Sequence, residues 1–399
     1  MKYVIVLCDG MADFPIPILE NKTPLEYAYI PNMHFLAKNG QVGKMKTIFE
    51  NLPIESAVAN MGILGYEPSV YYPNGRASFE ALAQGIAIGD NNLAFRCNLI
   101  SLNHDKIKDF TSANISDGHA KNLISHFKIN NADIKIFPGQ SYRNLLIVRN
   151  TDVCPKDIIT SPPHMNIKKS IKDILPQGRT PESKKLAKIL SELMLDSINQ
   201  LSSLNKYYKT EGDMFWLWSP SSTPSLPNFY EKYNLSGSIV AALDFLKGNG
   251  AAANMNFEDV PDTNGYIDTS YENKLKYAIK SLETNDFVYI HINAPDEEGH
   301  NRNALNKVKS IENIDHKILG PLILNLREQY GNNFRLAILP DHYTAVKDGK
   351  HYGFDVPFLV YGKDIQSDKL NEFTEKEAAK SKFNIISYNF LNYFFKNNV

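Results

Sequence analysis

Residues 3–8 read YVIVLC, an unbroken apolar run that ends directly before Asp9. Two later runs are similar: LAILP at residues 336–340 ends directly before Asp341, and FVYIHI at residues 287–292, in which His291 is polar, ends four positions before Asp296. Apolar runs of this length predict strands that are buried on both faces of a parallel sheet. In open α/β sheets the functional groups gather outside the carboxyl ends of the strands. We therefore expect the residues that follow the three runs to meet at one edge of a sheet.

The residues that follow these runs are of metal-ligating types. Three are aspartates and three are histidines, namely Asp9, Asp296 and Asp341, and His300, His342 and His351. Histidine is the commonest neutral metal ligand and aspartate is a hard anionic one, a mixture that suits Mn²⁺, Mg²⁺ or Zn²⁺. Each motif alone is typical of a surface loop. Their combination after successive strands predicts two divalent metal ions rather than an acid/base pair.

Composition argues against several classes of protein. The net charge of −1 and the pI near 6.8 are unlike those of a nucleic-acid or membrane-surface protein. No apolar run approaches the ~20 residues that a membrane span needs. Three widely spaced cysteines fit a reducing cytosol better than a disulfide framework. Because Met1 leads directly into a strand, we expect no signal peptide. We expect a cytoplasmic protein that binds neither nucleic acid nor a membrane.

The chain is predicted to consist of a core and an insertion. Its 399 residues are enough for two domains. The candidate ligands lie in residues 1–90 and 211–399, which we predict to form the metal-binding core. Residues 91–210 have strands of their own and a helix after Thr180-Pro181, a favourable N-cap and first-turn pair. They are predicted to form an inserted α+β cap domain. Within the core, the sequence predicts a helix from Ser238 to Lys247.

Ser56 is the candidate nucleophile. It precedes AVANMGIL at residues 57–64, which predicts the start of a helix. A helix N-terminus offers free N–H groups and a positive dipole end to a phosphate. A metal-bound serine hydroxyl loses its proton more easily, and two ions roughly 4 Å apart can hold both the nucleophile and the leaving oxygen. The alternative is that Ser56 is only an N-cap, the commonest use of serine at such a position.

Several further motifs are weak alone and specific in combination. They are Asp9–Asp13, Lys22–Glu26, Ile63–Tyr66, Phe95–Asn98, Pro162–His164, Trp216–Trp218, Glu231–Tyr233, Ala294–His300 and Leu339–His342. Together they resemble, from end to end, the archaeal-type 2,3-bisphosphoglycerate-independent phosphoglycerate mutases of the alkaline phosphatase superfamily. The resemblance implies an α/β fold: an alkaline-phosphatase-like core, whose mostly parallel sheet is flanked by helices, plus an inserted α+β cap. It also implies an isomerase of glycolysis and gluconeogenesis that interconverts 2-phosphoglycerate and 3-phosphoglycerate.

The same resemblance implies roles for particular residues. One divalent ion, usually manganese, would be held by Asp296, His300 and His351, and the other by Asp9, Ser56, Asp341 and His342. Ser56 would be transiently phosphorylated. In the predicted cap, Arg96 and Arg143, with Asn98, are candidate substrate ligands, and a surface arginine paired with an acid is the alternative for each.

Two stretches depart from the family pattern. Residues 55–60 read ESAVAN where the family commonly has Ser-Asp-Thr-Ala-His, and residues 109–114 read DFTSAN where it has an arginine-rich segment. Both departures resemble a branch of the family that is proposed to phosphorylate homoserine. The alternatives to a mutase are therefore a homoserine kinase-like phosphotransferase, a phosphatase, or a catalytically inactive metal-binding relative.

Overall fold

The structure is a computed structural model that describes residues 1–395. It divides into two compact units, Met1–Tyr72 with Ser225–Val399 (the core unit) and Pro73–Pro224 (the inserted unit). The inserted unit is longer at both ends than the 91–210 expected from the sequence. Its extra residues include a helix, Ala77–Ala83, and a strand, Met214–Ser221, that both contact the strand Leu93–Asn103. In residues 1–395 no helix is long and apolar enough to cross a membrane.

The secondary structure of this part of the chain alternates between strands and helices. The strands are β1 (Lys2–Cys8), β2 (Gln41–Lys46), β3 (Leu93–Asn103), β4 (Lys106–Asp109), β5 (Ile134–Gln140), β6 (Arg143–Val148), β7 (Ile158–Ile159), β8 (Gln177–Gly178), β9 (Met214–Ser221), β10 (Gly237–Val240), β11 (Asn256–Phe257), β12 (Phe287–Ile292), β13 (Phe334–Leu339), β14 (Tyr343–Ala345), β15 (Lys350–Tyr352), β16 (Val356–Gly362) and β17 (Asn384–Ile386). The α-helices are α1 (Pro24–Tyr27), α2 (Pro31–Asn39), α3 (Ser56–Ile63), α4 (Pro68–Tyr71), α5 (Ala77–Ala83), α6 (Asp117–His126), α7 (Pro181–Tyr208), α8 (Phe229–Tyr233), α9 (Asp244–Ala252), α10 (Tyr271–Thr284), α11 (Ala294–His300), α12 (Ala304–Asn313), α13 (Gly320–Tyr330), α14 (Glu375–Lys380) and α15 (Ser387–Phe394). Short 3-10 helices lie at Pro17–Leu19, Pro155–Asp157, Pro163–Asn166 and Ile171–Asp173, and a π-helix, Ile314–Leu319, joins α12 to α13.

The core unit contains an eight-stranded sheet in the order β11-β10-β12-β1-β13-β16-β2-β17. All of its strands run in one direction except β16, which is antiparallel to both neighbours. Side chains of β1, β12 and β13 are almost all fully buried. This is the pattern of strands that are covered on both faces. The predicted mostly parallel α/β sheet is therefore confirmed.

The three runs singled out in the sequence are the three central strands. β1 pairs in parallel with β12 on one side and with β13 on the other, so that Leu7 lies opposite both His291 and Leu339. The carboxyl ends of all three strands consequently lie side by side at one edge. The residues that follow them are brought together by this register.

One predicted helix of the core unit is wrong. Residues 238–247, expected as a helix, contain the end of β10 and the start of α9. The apolar residues Ile239 and Val240 lie in a strand because β10 pairs in parallel with both β11 and β12. Pairing with neighbouring strands therefore outweighs the local sequence pattern that predicted a helix, as is common in short segments.

The inserted unit is built on an antiparallel sheet. Its longest strand, β3, pairs with β4, β6 and β9, and β5 continues the sheet beyond β6. The long helix α7 packs against β9. As predicted, α7 begins after Thr180, whose hydroxyl accepts the N–H of Ser183, with Pro181 in the first turn.

Candidate metal centre

The ends of the central strands carry most of the predicted ligands. Asp9 follows β1 directly. Helix α11 begins two residues after β12 and carries Asp296 and His300 at its first and last turns. Asp341 and His342 follow β13, directly before the hairpin of β14 and β15. Except for His300, all of these side chains are buried.

Asp296, His300 and His351 form the first compact group, in which the ligand atoms all lie within 4.8 Å of one another. The Nε2 atoms of His300 and His351 lie 3.3 and 3.2 Å from the Asp296 oxygens and 2.9 Å from each other. Each ring turns its Nδ1 to a backbone carbonyl, His300 to Gly349 at 2.8 Å and His351 to Ile54 at 3.0 Å. Such a bond fixes the proton on Nδ1 and leaves Nε2 free to bind a metal.

The Asp296 carboxylate gives the first group an electrostatic preference for a bound cation. Burial alone would raise the pKa of Asp296, but hydrogen bonds from His300 and His351 hold that pKa well below its usual range. Burial likewise opposes protonation of His300, yet the bond to Asp296 raises the pKa of the imidazole to about 9. A divalent ion bound to the three side chains would take the place of the protons on the histidine nitrogens that face Asp296.

Asp9, Asp296 and His342 form the second compact group, again with ligand atoms within 4.8 Å. Both carboxylate oxygens of Asp9 are buried without a hydrogen-bond partner, although His291 Nε2 lies 3.0 Å from Oδ2. Burial, together with the charges of Asp341 and Asp296, raises the pKa of Asp9 well above its usual range. A buried carboxylate with no donor is costly unless a cation satisfies it.

The residues present therefore fit two divalent cations. Asp296 belongs to both groups, and carboxylate oxygens with imidazole nitrogens are a suitable donor set for Mn²⁺ or Zn²⁺. The oxygens of Asp9 are the clearest sign, because neither accepts a hydrogen bond from the described residues.

Asp341, which the resemblance assigns to the second ion, is held by hydrogen bonds beside the second group. Its Oδ1 accepts the backbone N–H groups of Gly10 and His342, both at 3.0 Å, and its Oδ2 accepts the Asn60 amide at 2.9 Å. Oδ2 lies 3.5 Å from His342 Nε2. The compact group around Asp9 contains Asp296. Asp341 lies beside that group, and three donors fix the orientation of its carboxylate.

Ser56 is the first residue of α3, and its hydroxyl lies 3.1 Å from His342 Nε2. The N-cap of the helix is Glu55, and no side-chain capping hydrogen bond is made there. The alternative that Ser56 serves as the N-cap therefore does not hold. The serine hydroxyl is buried beside the second group.

Three buried polar residues at this edge were missed by sequence reasoning. The Asn60 amide donates to the Ser56 carbonyl at 2.8 Å, and its oxygen accepts the Tyr289 hydroxyl at 2.5 Å. His291 lies on β12 beside Asp9. All three lie inside apolar runs of the sequence. A polar residue in such a run is expected to be buried, and a buried polar group needs a hydrogen-bond partner, so their positions could have indicated a polar site.

The predicted substrate ligands lie in the inserted unit. Arg96 is buried, donates to Glu80 at 3.0 Å and stacks on Trp218, with 4.3 Å from its Cζ to the ring centroid. Trp218 Nε1 donates to Asn98 Oδ1 at 3.0 Å. Arg143 is exposed and lies opposite Asn98 in the sheet. Thus the three predicted residues are neighbours on β3 and β6.

Arg96 lies in a cluster of guanidinium groups. Burial lowers the pKa of its guanidinium to about 10 against the opposing effect of Glu80, and the nearby cations Arg76 and Arg143 lower it further. The guanidinium groups of Arg96, Arg76 and Arg143 therefore lie close enough to influence one another. Guanidinium groups bind carboxylates and phosphates through paired hydrogen bonds, so this cluster is suited to an anion.

Known proteins resemble the chain over its whole length. The sequence model of the 2,3-bisphosphoglycerate-independent phosphoglycerate mutase family matches residues 37–205. A protein of that name from Methanosarcina barkeri is 38% identical over 391 residues, covering 97% of each chain. The solved cofactor-independent phosphoglycerate mutase from Thermoplasma acidophilum is similar at a TM-score of 0.64 and 26% identity, covering 98% of each chain. A solved protein from Pyrococcus horikoshii is similar at a TM-score of 0.81 and 25% identity, covering 98% of this chain and 96% of that one.

Proposed function

The chain belongs to the 2,3-bisphosphoglycerate-independent phosphoglycerate mutase family, and on that premise we propose that it interconverts 2-phosphoglycerate and 3-phosphoglycerate through a phosphoserine at Ser56. The observation that carries the phosphoserine is the position of the Ser56 hydroxyl, 3.1 Å from His342 and beside the second ligand group. The three cysteines, all free, support the expected cytoplasmic location.

Two divalent ions, manganese in the first place, are proposed to occupy the two groups. Asp296, His300 and His351 would hold one ion, and Asp9, Asp296 and His342, with Ser56 and Asp341 beside them, would hold the other. When bound, the ions lower the pKa of the serine hydroxyl and stabilise the negative charge of the transferring phosphoryl group.

The chain's own groups carry the two halves of the reaction. In the first half, Ser56 Oγ attacks the phosphorus, a bond from Oγ to phosphorus forms, and the bond from phosphorus to the glycerate oxygen breaks. That oxygen takes up a proton as the serine loses one. In the second half, the other glycerate hydroxyl attacks the same phosphorus, the bond from phosphorus to Ser56 Oγ breaks, and the proton of the attacking hydroxyl passes to Ser56. Arg96, Arg143 and Asn98 are proposed to bind the anionic groups of the glycerate.

A homoserine kinase-like phosphotransferase is the second candidate function. It is favoured by residues 109–114, which contain no arginine and in which the Asp109 carboxylate is used locally by Thr111 and Ala113. A kinase of this type needs a phosphoryl donor such as ATP, whereas a mutase needs none. The two functions are therefore separable by a direct assay.

We expect the Mn²⁺-loaded protein to convert 3-phosphoglycerate to 2-phosphoglycerate with a kcat above about 1 s⁻¹, the low end of typical enzymes. Stripping the metal with a chelator should abolish the conversion, and adding back Mn²⁺ should restore it. Homoserine with ATP, offered to the same preparation, should give no phosphohomoserine. Phosphohomoserine without isomerisation would reject the mutase in favour of the kinase, and turnover of neither would favour a phosphatase or an inactive relative.

Changing Arg96 to lysine should raise the KM for phosphoglycerate roughly tenfold or more, because lysine keeps the charge but loses the forked donor. The kcat should fall less than the KM rises. Arg149→Lys is the control, since this residue is exposed on the same unit. An unchanged KM, with the Arg96→Lys protein folded, would remove Arg96 from the list of substrate ligands.

A further inference from the structure

Thr344 lies behind the metal-ligand groups. It is the middle residue of β14, fully buried, and pairs across the hairpin with His351. Its hydroxyl donates to Asp296 Oδ1 at 2.5 Å and lies 3.2 Å from His342 Nδ1. One hydroxyl therefore contacts the carboxylate that both groups share and the imidazole of the second group.

The hydrogens of this contact can be counted. A threonine hydroxyl has one hydrogen to donate, and an ionised carboxylate can only accept. The hydrogen of Thr344 is therefore used on Asp296, and the hydroxyl oxygen must accept from His342. The proton of the neutral His342 ring is consequently on Nδ1. Nε2 then bears the lone pair, and it is the atom that lies 3.1 Å from Ser56 Oγ.

The backbone of Thr344 is fixed on both sides. Its N–H donates to the Ala12 carbonyl at 3.2 Å, and its carbonyl accepts the buried Lys307 ammonium at 2.6 Å. Lys307 is itself paired with buried Asp13 at 2.9 Å. These bonds tie the loop after β1 to β14, so the threonine cannot shift away from its two partners.

The side chain of Thr344 is also tightly enclosed. A Cβ added at Gly299 would lie 2.7 Å from Thr344 Cγ2, and one added at Gly10, where φ is +60°, would collide with the threonine hydroxyl. Two glycines thus allow the surrounding backbone to approach the side chain closely. In this close packing the hydroxyl lies between Asp296 and His342.

We propose that Thr344 is a positioning residue of the metal centre, whose hydroxyl fixes the rotamer of Asp296 and the Nδ1-protonated form of His342. This inference rests on the proposed function. Groups that orient metal ligands through hydrogen bonds are worth about 10- to 100-fold in metal affinity when removed. Since Asp296 is common to both groups, loss of the hydroxyl should weaken both ions rather than one.

Thr344→Val is the informative variant, because valine keeps the shape of threonine and removes only the hydroxyl. We expect its Mn²⁺ affinity, measured by titration calorimetry, to fall about 10- to 100-fold at both sites. Thr344→Ser restores a hydroxyl and should keep the affinity within a few-fold of the parent chain. Thr47→Val is the matched control, because Thr47 is a buried threonine of the core unit whose hydroxyl has no hydrogen-bond partner.

A second measurement uses the unaltered protein without metal. The ¹⁵N chemical shifts of His342 should show the proton on Nδ1 and an unprotonated Nε2. Normal Mn²⁺ affinity in Thr344→Val, equal loss in the valine and serine variants, or a proton on Nε2 of His342 would each overturn the proposal. If instead the unaltered chain bound no Mn²⁺, the proposed two-metal function itself would fail.

Discussion

The Ser56→Ala variant should keep its fold and lose isomerase turnover at least about 10⁴-fold, as expected when a covalent nucleophile is removed. The fold should survive because the Ser56 hydroxyl makes no helix-capping bond, and Glu55 occupies the N-cap position. Turnover should be lost because the variant lacks the hydroxyl that receives the phosphoryl group in the proposed mechanism. Acid quenching of the parent enzyme with labelled substrate should trap the phosphate on the peptide that contains Ser56.

Ser310→Ala is the matched control for this experiment. Ser310 is also a buried helical serine of the core unit, but its hydroxyl only donates to the Lys307 carbonyl one turn earlier. Its replacement should leave turnover close to that of the parent. Near-normal turnover in Ser56→Ala, or a labelled peptide elsewhere, would rule out the phosphoserine and require direct transfer or another nucleophile.

The Asp296→Asn variant should lose both ions, because Asp296 is the one carboxylate that the two groups share. We expect Mn²⁺ binding more than about 100-fold weaker, beyond the effect of removing an orienting group. Elemental analysis should fall from two ions per chain to fewer than one. His300→Ala should instead remove one ion and leave the other partly bound, since His300 belongs to the first group alone.

Glu297→Gln controls for the loss of a charge at this position. Glu297 neighbours Asp296 on α11, and its carboxylate accepts the amide of Asn293 while belonging to neither ligand group. Its variant should keep two ions. One ion remaining firmly bound in Asp296→Asn would show that Asp296 is not shared, and that Asp341 completes the second site.

The central part of the fold was predictable from local sequence. β1, β12 and β13 are apolar runs, which are typical of strands buried on both faces of a parallel sheet. Functional groups lie beyond the carboxyl ends of such strands, and this rule predicted that Asp9, Asp296 and Asp341 lie at one edge. The sequence was sufficient for that step, because neighbouring parallel strands have their carboxyl ends at the same edge of a sheet.

The parts that could not be predicted depend on side-chain direction or on distant pairing. That Asp296 serves both groups follows from how α11 is turned, which spacing does not encode. Thr344 donates to Asp296 and Asn60 donates to Asp341, 48 and 281 residues away in the chain, so the local sequence does not reveal which groups they contact. The strand at β9 belongs to the inserted unit because it pairs with β3, over a hundred residues earlier.

The position of β1 in the middle of the sheet has a consequence for synthesis. β1 leaves the ribosome before either of its neighbours, and roughly 280 residues separate it from β12, its earlier partner. At translation rates of about 5–20 residues per second, this apolar strand waits about 15 to 60 s without a partner. The strands of the inserted unit, by contrast, pair only with one another and are all made before β12 emerges. The nascent chain should therefore expose the apolar strand β1 during most of its synthesis. We expect chaperones that bind exposed apolar strands to associate with it during this time.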